Sequence, residues 1–365
     1  MIIFSVSEKC FLQLLHYSLF RDSFPLITIV SHGDWQAMYA LAKKQTVLGL
    51  VYDGIQMLDT DHRPDKPILL DWFAKSIQVE RENQILNQRL IEVINRYKEK
   101  GLSPVLLKGQ GLGQYYPNPL HRQSGDIDLY FFDQYDEANA VAAEFDEVQF
   151  HPDTSYHRAF EYKGVEVENH RIYIGFNSKR NQRAWEKVQQ LVPLVQNEKL
   201  KMGDFEVDVP CPQMNVIYVF LHFMHHFLQV GVGMRQVCDW TCLWYAKHDE
   251  IDKDLFLQCV NLLRIRRAMT ALTYIVTTYL GLPAEYIPLD ATTPQAKKDG
   301  ELMLRDILDQ GNFGHDTEIM RGFKRNHHWH NLKNYYKAFL RQMRLYRFYP
   351  SEVRAYPWVW LKSKL

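Results

Sequence analysis

Residues 105–132, VLLKGQGLGQYYPNPLHRQSGDIDLYFF, decide the fold of this chain. A short apolar run gives way to a lysine and three glycines, and a polar connection then leads to the closing segment 126–131, DIDLYF. In this segment isoleucine, leucine and phenylalanine alternate with two aspartates and a tyrosine, which is the period of a half-buried β-strand. The stretch therefore predicts two short strands joined by a glycine-containing turn.

Asp126 and Asp128 give the clearest chemical signal in the chain. Aspartate is a poor strand former, and two aspartates on one strand face bring their carboxylates side by side. Their repulsion raises the pKa of one of them unless a cation neutralises the pair. Mg²⁺ would remove the conflict, because it prefers oxygen ligands and is commonly held by one or two carboxylates together with substrate phosphates. The alternative is an exposed strand edge with two solvated aspartates, but the glycine turn and the nearby Arg122 favour the metal.

These residues resemble a known family. A strand, a glycine turn and a strand bearing Asp126 and Asp128 are similar to the signature of the DNA polymerase beta-like nucleotidyltransferase superfamily. The fuller string L-K-G, Y-Y-P, R-x-x-G-D-I-D-L resembles a group of uncharacterised bacterial nucleotidyltransferases. The superfamily has Gly-Gly or Gly-Ser at the turn, where this chain has Gly109-Gln110. The resemblance implies an α+β fold with a mixed sheet and helices, flanked by N- and C-terminal helical regions.

A third carboxylate is expected on a later strand. Val165 and Val167 alternate with Glu166 and Glu168, so both glutamates share one strand face. The resemblance implies an acidic residue two positions before a histidine, which selects Glu168 together with His170 and keeps Glu166 as the alternative. For His170, a hydrogen-bonded structural imidazole and a substrate contact both stay open.

The resemblance also implies a nucleotide site around the glycine turn. Gly109 would let the backbone approach the phosphates of a nucleoside triphosphate, with Gln110 and Ser124 beside it. Lys108 and Arg122 are the candidates for neutralising phosphate charge. The chain is thus expected to bind an NTP at the turn and an acceptor in the adjoining cleft.

The predicted activity is metal-dependent nucleotidyl transfer. Asp126, Asp128 and Glu168 would hold one or two Mg²⁺ or Mn²⁺ ions, one binding the triphosphate and the other lowering the pKa of an acceptor hydroxyl. A nucleoside monophosphate, for example from ATP, would move to that hydroxyl and pyrophosphate would leave. We expect a small-molecule acceptor rather than a protein or RNA. The alternative is a nucleotide- or partner-binding protein of low turnover on the same fold.

A second group of candidates lies near the C-terminal helices. Arg235 and Asp239 are four residues apart on a predicted helix, and the resemblance implies that both face the cleft; an ordinary intrahelical ion pair is the alternative. His222 and His226 have the spacing of a zinc-binding helix, but the glutamate of the H-E-x-x-H pattern is missing. We interpret both histidines as packing or substrate-side residues, with His226 as the substrate-side candidate, and a zinc hydrolase is a further alternative.

The periodicity divides the chain into a helical region at 1–100, a nucleotidyltransferase α/β core at 101–210 and a helical domain at 211–365. Within them the pattern predicts a series of elements and one loop. Helices are predicted at 69–100, 110–116, 134–145, 214–230, 234–248 and 262–280, strands at 103–107, 126–132, 148–150, 156–162, 165–174 and 205–209, and a loop at 283–298.

Two basic segments have more than one interpretation. Residues 179–187 are either a solvated helix or a flap on the substrate side. Residues 321–347 interleave basic and aromatic side chains, which can bind RNA, but an amphipathic helix that buries its aromatic rings is favoured. The sequence alone does not assign either segment to the site.

Composition narrows the class of protein. The chain has 365 residues, 46% of them hydrophobic, and equal numbers of basic and acidic residues at 43 each. A net charge of zero argues against a basic nucleic-acid surface over the whole chain. The five cysteines lack paired spacing, and no uncharged apolar run approaches the roughly 18 residues of a membrane span. We predict a cytoplasmic protein without a membrane segment or signal peptide.

Overall fold

A mixed β-sheet forms the centre of the molecule. Seven strands are found in the part of the chain that the computed structural model describes, namely residues 3–21, 31–146, 148–152, 154, 156–312 and 327–362. The strands are β1 Val105–Leu106, β2 Asp126–Tyr130, β3 Val148–Phe150, β4 His157–Tyr162, β5 Val165–His170, β6 Lys199–Met202 and β7 Phe205–Asp208. Their order across the sheet is β3-β4-β5-β2-β1-β7-β6. Strand β2 is therefore an inner strand, and the exposed-edge interpretation of its two aspartates does not apply.

The pairing of β2 with β5 aligns the acidic residues of the two strands. The strands are parallel, with Asp126 opposite Glu166 and Asp128 opposite Glu168. On its other side β2 runs antiparallel to β1, which in turn is parallel to β7. Because alternate residues of a strand share a face, all four carboxylates lie on one side of the sheet.

Fourteen helices surround the sheet within the described ranges. They are α1 Val6–Phe20, α2 His32–Lys44, α3 Leu48–Gln56, α4 Lys66–Glu99, α5 Gln110–Gly113, α6 Tyr135–Ala142, α7 Lys179–Leu191, α8 Pro212–Gln229, α9 Met234–Lys247, α10 Lys253–Leu263, α11 Arg266–Thr278, α12 Pro294–Gln310, α13 His327–Arg344 and α14 Pro350–Lys362. The result is the α+β architecture with flanking helices that the sequence predicts. No helix among the described residues has both the length and the apolar character needed to cross a membrane.

Helix α4 covers the face of the sheet opposite the aspartates. Pro67 lies in its first turn, where the fixed φ of proline favours helix initiation, and Gly101 follows its end with a φ of +79°. Apolar residues at intervals of three and four form the buried side of the helix. The hydrophobic core between α4 and the sheet contains Leu90, Val93, Ile94 and Tyr97 from α4 together with Ile127 and Leu129 from β2. With these β2 side chains buried under α4, the aspartates point to the other face of the sheet, where α8 and α9 lie.

The N-terminal helices share a core with the C-terminal ones. Buried residues of α1 to α3 belong to the same hydrophobic cluster as those of α8 to α12. Polar contacts reinforce the packing: the Gln45 side chain donates to the carbonyl of Ile307 at 3.0 Å, and Nδ1 of His16 lies 2.8 Å from the carbonyl of Leu280. The division of the chain at residues 100 and 210 stays a prediction.

Four features differ from the predicted pattern. The helix expected at 262–280 is broken into α10 and α11, because Arg264 takes a left-handed φ of +59°. The loop expected at 283–298 ends early, since Thr293 accepts a hydrogen bond from the amide of Ala296 and begins α12. The strand predicted at 165–174 ends at His170, and strand β6 has no counterpart among the predictions.

The first basic segment lies in a helix, and residues 327–344 of the second form α13, which a turn at 345–347 follows. Residues 179–187 belong to α7, which has its lysines and arginines on the exposed side. Of the segment 321–347, residues 321–326 lie outside the described residues. Arg341 of α13 donates to the carbonyl of Phe227 at 2.7 Å and also contacts Asp306, so this arginine ties α13 to the helical core.

Candidate active site

A cavity of about 490 Å³ lies between the sheet and helices α8 and α9. It brings together ten of the twelve residues predicted for the site. These are Lys108, Gly109, Arg122, Asp126, Asp128, Glu168, His170, His226, Arg235 and Asp239. The other two, Gln110 and Ser124, are not part of its lining.

Asp128 is the most deeply buried carboxylate of the cavity wall. Only 1% of its side chain is exposed, and its Oδ1 atom has two nitrogen neighbours: Nζ of Lys108 at 2.9 Å and Nε2 of His170 at 2.8 Å. Burial alone would raise the pKa of Asp128, but the charge of Lys108 and the hydrogen bond from His170 outweigh it and hold that pKa well below its usual range. Asp128 is therefore an ionised carboxylate that is paired with Lys108 and His170.

Asp126 differs from its neighbour in its ionisation. The negative charge of Asp128, followed by burial, raises the pKa of Asp126 to about 6, and Lys108 offsets this only in part. Two carboxylates on one strand face thus acquire different affinities for a proton, which is the expected result of their mutual repulsion. Asp128 stays ionised over the physiological range, whereas Asp126 binds a proton just below neutral pH.

Lys108 connects the sheet to helix α8. Besides its ion pair with Asp128, its ammonium donates to Nε2 of His222 at 2.9 Å. Burial would lower the pKa of Lys108, but Asp128 outweighs this effect and raises it. The predicted phosphate-neutralising residue is therefore a charged group at the cavity wall that already has a carboxylate partner.

The structure distinguishes the two glutamates of β5. Glu168 lies next to His170, whose Nε2 is 3.2 Å from its Oε2, and Nε2 of His157 is 3.6 Å from its Oε1. Glu166 is about half exposed and has His151 at 3.6 Å. Both line the cavity, but only Glu168 belongs to the same contact network as Asp128.

His170 bridges two carboxylates. It is buried, and burial alone would lower its pKa, but its hydrogen bonds to Asp128 and Glu168 outweigh this and raise it. His157 faces it directly across the antiparallel pair β4–β5. Sequence reasoning did not select His157, because its strand was predicted but the register that aligns it with His170 was not.

Helix α9 forms the opposite wall of the cavity. The carboxylate of Asp239 accepts two hydrogen bonds from Arg122, from Nε at 2.7 Å and from Nη2 at 2.9 Å, and a third from the Tyr116 hydroxyl at 2.6 Å. Arg235 instead donates to the carbonyl of Gln123 at 2.7 Å. Both predicted residues line the cavity, and the intrahelical pair is replaced by a bond between the helical region and the loop before β2.

The guanidinium of Arg122 forms hydrogen bonds with other side chains of the protein. Two of its nitrogens bind Asp239, and Nη1 donates to the hydroxyl of Ser124. Arg122 is 5% exposed, as expected for a buried, bidentate ion pair. Arg122 therefore positions the segment that precedes Asp126, a role that the sequence interpretation did not include.

The glycine turn approaches the start of β2 closely. Gly109 has a φ of +49°, which side chains rarely allow, and a Cβ atom there would lie 3.4 Å from the carbonyl of Asp126. Gln110 points the other way, donating to Asn83 of α4 at 3.0 Å. The Gly-Gln departure from the superfamily pattern thus places a side chain in the core and leaves the cavity side of the turn without one.

The histidines of α8 border the cavity beside Lys108. Nε2 of His226 lies 3.2 Å from Nε2 of His222. Burial, followed by the charge of Lys108, keeps the pKa of His222 well below its usual value. In the described part of the chain, these histidines do not belong to a group of three or more ligands that could hold a metal. The zinc-hydrolase alternative therefore lacks a third ligand within the described residues.

Comparison with known proteins identifies the family of this chain. A family model described as "uncharacterised nucleotidyltransferase" matches residues 31–281, which include all seven strands and helix α9. No curated protein matches the chain. The matched region covers more than half of the sequence and every residue that was assigned to the site. The chain belongs to the uncharacterised nucleotidyltransferase family.

Proposed function

We propose that this nucleotidyltransferase depends on a divalent metal and moves a nucleoside monophosphate from an NTP to a hydroxyl group of a small-molecule acceptor, releasing pyrophosphate. The observation that carries the proposal is the pair Asp126 and Asp128, side by side on an inner strand at the cavity. Family membership supports nucleotidyl transfer in general. The metal and the acceptor are the parts that need experiment.

The carboxylates fit a hard divalent ion. Asp126, Asp128 and Glu168 present oxygen atoms from two adjacent strands to one cavity, and oxygen is the ligand that Mg²⁺ and Mn²⁺ prefer. The ammonium of Lys108 lies 2.9 Å from Oδ1 of Asp128, so a metal ion at this oxygen would displace it. When bound, such an ion would neutralise phosphate charge and lower the pKa of the acceptor hydroxyl.

The protein's own groups have separate tasks in this proposal. Lys108 adds positive charge for the phosphates, and Gly109 allows the backbone to approach them. The charge of Asp128 raises the pKa of Asp126 to about 6, and a bound cation would oppose that effect, so Asp126 would serve as an ionised ligand. Arg122 and Asp239 act indirectly, by holding the loop before β2 against α9.

The cavity favours a small acceptor. Its volume of about 490 Å³ lies within the range of roughly 300 to 1,000 Å³ that is common for small-molecule sites. The chain has no net charge, which weighs against an extended nucleic-acid surface. We therefore infer an acceptor that enters beside the nucleotide, between β5 and helices α8 and α9.

The contact between Lys108 and Asp128 also supports an alternative. An ammonium that neutralises Asp128 occupies the oxygen that a metal ion would need. A protein in which that contact persists would bind nucleotide with little turnover. This low-turnover nucleotide- or partner-binding protein is the second candidate function.

A transfer assay separates the two candidate functions. The protein is incubated with each labelled NTP, Mg²⁺ or Mn²⁺ and a small-molecule extract, and pyrophosphate and labelled products are measured. We expect metal-dependent transfer that is lost in the double variant Asp126→Asn/Asp128→Asn. Asp133→Asn serves as the matched control, because Asp133 is an exposed aspartate just beyond β2.

Binding measurements complete the test. Calorimetry should show that Mg²⁺-dependent NTP affinity is lost in the double variant but kept in the control. Thermal melting must first establish that the variants fold. Unchanged NTP affinity of a folded double variant in Mg²⁺ would reject the metal assignment, and NTP binding by the unaltered protein without pyrophosphate release would support the low-turnover alternative.

A further inference from the structure

The wall of the cavity formed by β4 and β5 carries a second group of possible metal ligands. His157 of β4 pairs directly with His170 of β5, and Glu168 lies two residues before His170 on the same face. The residue opposite Glu168 is Ala159, whose methyl group leaves room between the larger side chains. Among the described residues, His157, Glu168 and His170 form a group in which each side chain offers one possible metal-ligand atom. These atoms all lie within 4.8 Å of one another.

The separations suit coordination of a single ion. Nε2 of His170 is 3.2 Å from one oxygen of Glu168, and Nε2 of His157 is 3.6 Å from the other. Ligand atoms about 2.0 to 2.2 Å from a zinc-like ion, at tetrahedral or octahedral angles, lie roughly 3.0 to 3.5 Å apart. Small side-chain rotations would therefore bring all three groups onto one ion.

The ligand types indicate which ion. Two imidazoles and one carboxylate suit Zn²⁺, Co²⁺, Fe²⁺ and related transition metals, whereas Mg²⁺ prefers a shell of oxygen atoms. Asp126 and Asp128 offer only oxygen and suit the magnesium-like ion of the proposed function. The two groups adjoin, because Nε2 of His170 also donates to Oδ1 of Asp128 at 2.8 Å, a hydrogen bond that it would give up on binding the ion.

The position of the group leaves one side open. The side chains of His157, Glu168 and His170 are 28%, 18% and 10% exposed, and all three line the cavity. An ion held by three protein ligands at a cavity wall keeps a coordination position for water or substrate, as in catalytic rather than structural zinc sites.

We propose that His157, Glu168 and His170 bind a divalent transition-metal ion. This site lies next to the proposed magnesium site of Asp126 and Asp128 and differs from it in metal selectivity. The site rests on the proposed function only in that Glu168 is shared with the proposed magnesium ligands. Its existence follows from strand register and ligand type, and it can be measured by binding alone.

The experiment uses the full chain after chelator treatment, with Co²⁺ as the probe. Visible absorption reports nitrogen and carboxylate coordination, and equilibrium dialysis gives affinity and stoichiometry in excess Mg²⁺. We expect one Co²⁺ that excess Mg²⁺ does not displace. His157→Ala should weaken Co²⁺ binding at least about tenfold, the loss that removal of even an outer-sphere partner typically produces. Mg²⁺-dependent NTP binding is measured in parallel, because His157 lies 3.6 Å from Glu168, which is also a proposed magnesium ligand.

His151→Ala is the matched control. His151 lies 3.6 Å from Glu166, the same distance that separates His157 from Glu168, but it is outside the group of three. This variant should bind Co²⁺ like the unaltered chain. His157→Gln, which keeps a polar side chain, provides a second test if the alanine variant fails to fold.

Several results would overturn the proposal. They are absence of Co²⁺ binding, displacement of Co²⁺ by Mg²⁺, and equal Co²⁺ affinity in the unaltered chain and in folded His157 variants. The last result would assign any bound Co²⁺ to other residues. Since no readout depends on catalysis, loss of nucleotidyl transfer with intact Co²⁺ binding would reject the proposed function alone.

Discussion

Replacing Asp239 by alanine tests whether the cavity has a rigid second wall. Asp239 is 4% exposed and accepts three hydrogen bonds, two from Arg122 and one from Tyr116. The substitution removes both acceptor oxygens of these three hydrogen bonds without removing the donors. It therefore leaves a buried guanidinium without its counter-charge, and the Tyr116 hydroxyl keeps only the carbonyl of Arg235, at 3.4 Å, as an acceptor.

The expected cost follows from burial. Breaking a buried ion pair by removing one partner destabilises proteins by about 3 to 5 kcal/mol, and an unsatisfied buried polar group adds about 1 to 3 kcal/mol. The two penalties overlap because the groups share one carboxylate, so we expect a loss of about 4 kcal/mol in the free energy of unfolding. An exposed ion pair would contribute only about 0 to 1 kcal/mol.

The chain offers a matched control for that contrast. Lys100 and Glu144 form an ion pair of 2.6 Å, but their side chains are 52% and 59% exposed. Glu144→Ala should therefore cost less than about 1 kcal/mol. Urea unfolding followed by tryptophan fluorescence compares the two variants, and a cycle with Arg122→Met and Asp239→Leu measures the coupling of the buried pair.

The double variant sharpens the test. Hydrophobic residues of similar volume often replace a buried ion pair without loss of stability, so Arg122→Met/Asp239→Leu should recover most of what either single change loses. A folded Asp239→Ala protein within about 1 kcal/mol of the original chain, or a coupling energy near zero, would refute the claim that this pair joins α9 to the loop before β2.

Further predictions concern the turn, the third carboxylate and pH. Gly109→Ala should cost about 1 to 3 kcal/mol in unfolding free energy, because its φ is +49°, whereas Gly125→Ala, with no atom within 4 Å of the added Cβ, should be nearly neutral by the same urea assay. Glu168→Gln should reduce turnover more than NTP affinity and more than Glu166→Gln does; the reverse order in a transfer assay would assign the role to Glu166. Burial would lower the pKa of His121, but hydrogen bonds to two carboxylates outweigh it and raise it. The stabilisation by charged His121 should be fully present below about pH 6.5 and lost as pH rises through the raised pKa. The melting temperature of the original chain should therefore fall more over that pH range than the melting temperature of His121→Gln.

Local sequence patterns predict most of the elements around the site. The alternation in 126–131 identifies β2 because one of its faces lies under α4, and the period of residues 69–100 identifies α4 because one side of that helix is buried. In both cases the spacing of the apolar residues identifies the face that packs against the core. The turn at Gly109 is also visible, since its conformation requires glycine.

Long-range partners could not be predicted in the same way. The spacing of Arg235 and Asp239 suggests an intrahelical pair, yet Asp239 binds Arg122, which lies far away in sequence. The choice depends on how α9 packs against the loop before β2, and no local pattern contains that information. His157 is a similar case, because only the register of β4 on β5 brings it next to His170.

The break between α10 and α11 shows a different limit. Residues 262–280 contain neither proline nor glycine before the turn, so helical periodicity continues through Arg264. The structure ends α10 there with a left-handed arginine and buries Ile265 immediately afterwards. Burial of that side chain overrides local helix propensity, which differs between ordinary residues by less than about 1 kcal/mol.

The two aspartates that look equivalent in the sequence are chemically different in the fold. Asp128 has Lys108 and His170 within 3 Å and stays ionised, whereas Asp126, beside that fixed charge, acquires a pKa of about 6. A cation that enters the cavity therefore meets one permanent anion and one carboxylate that exchanges its proton near neutral pH. Because the ammonium of Lys108 already neutralises the permanent anion, a metal ion must compete with a residue of the same wall. Nucleotide phosphates would offer Lys108 a second anionic partner, so metal and nucleotide are expected to bind more tightly together than either does alone.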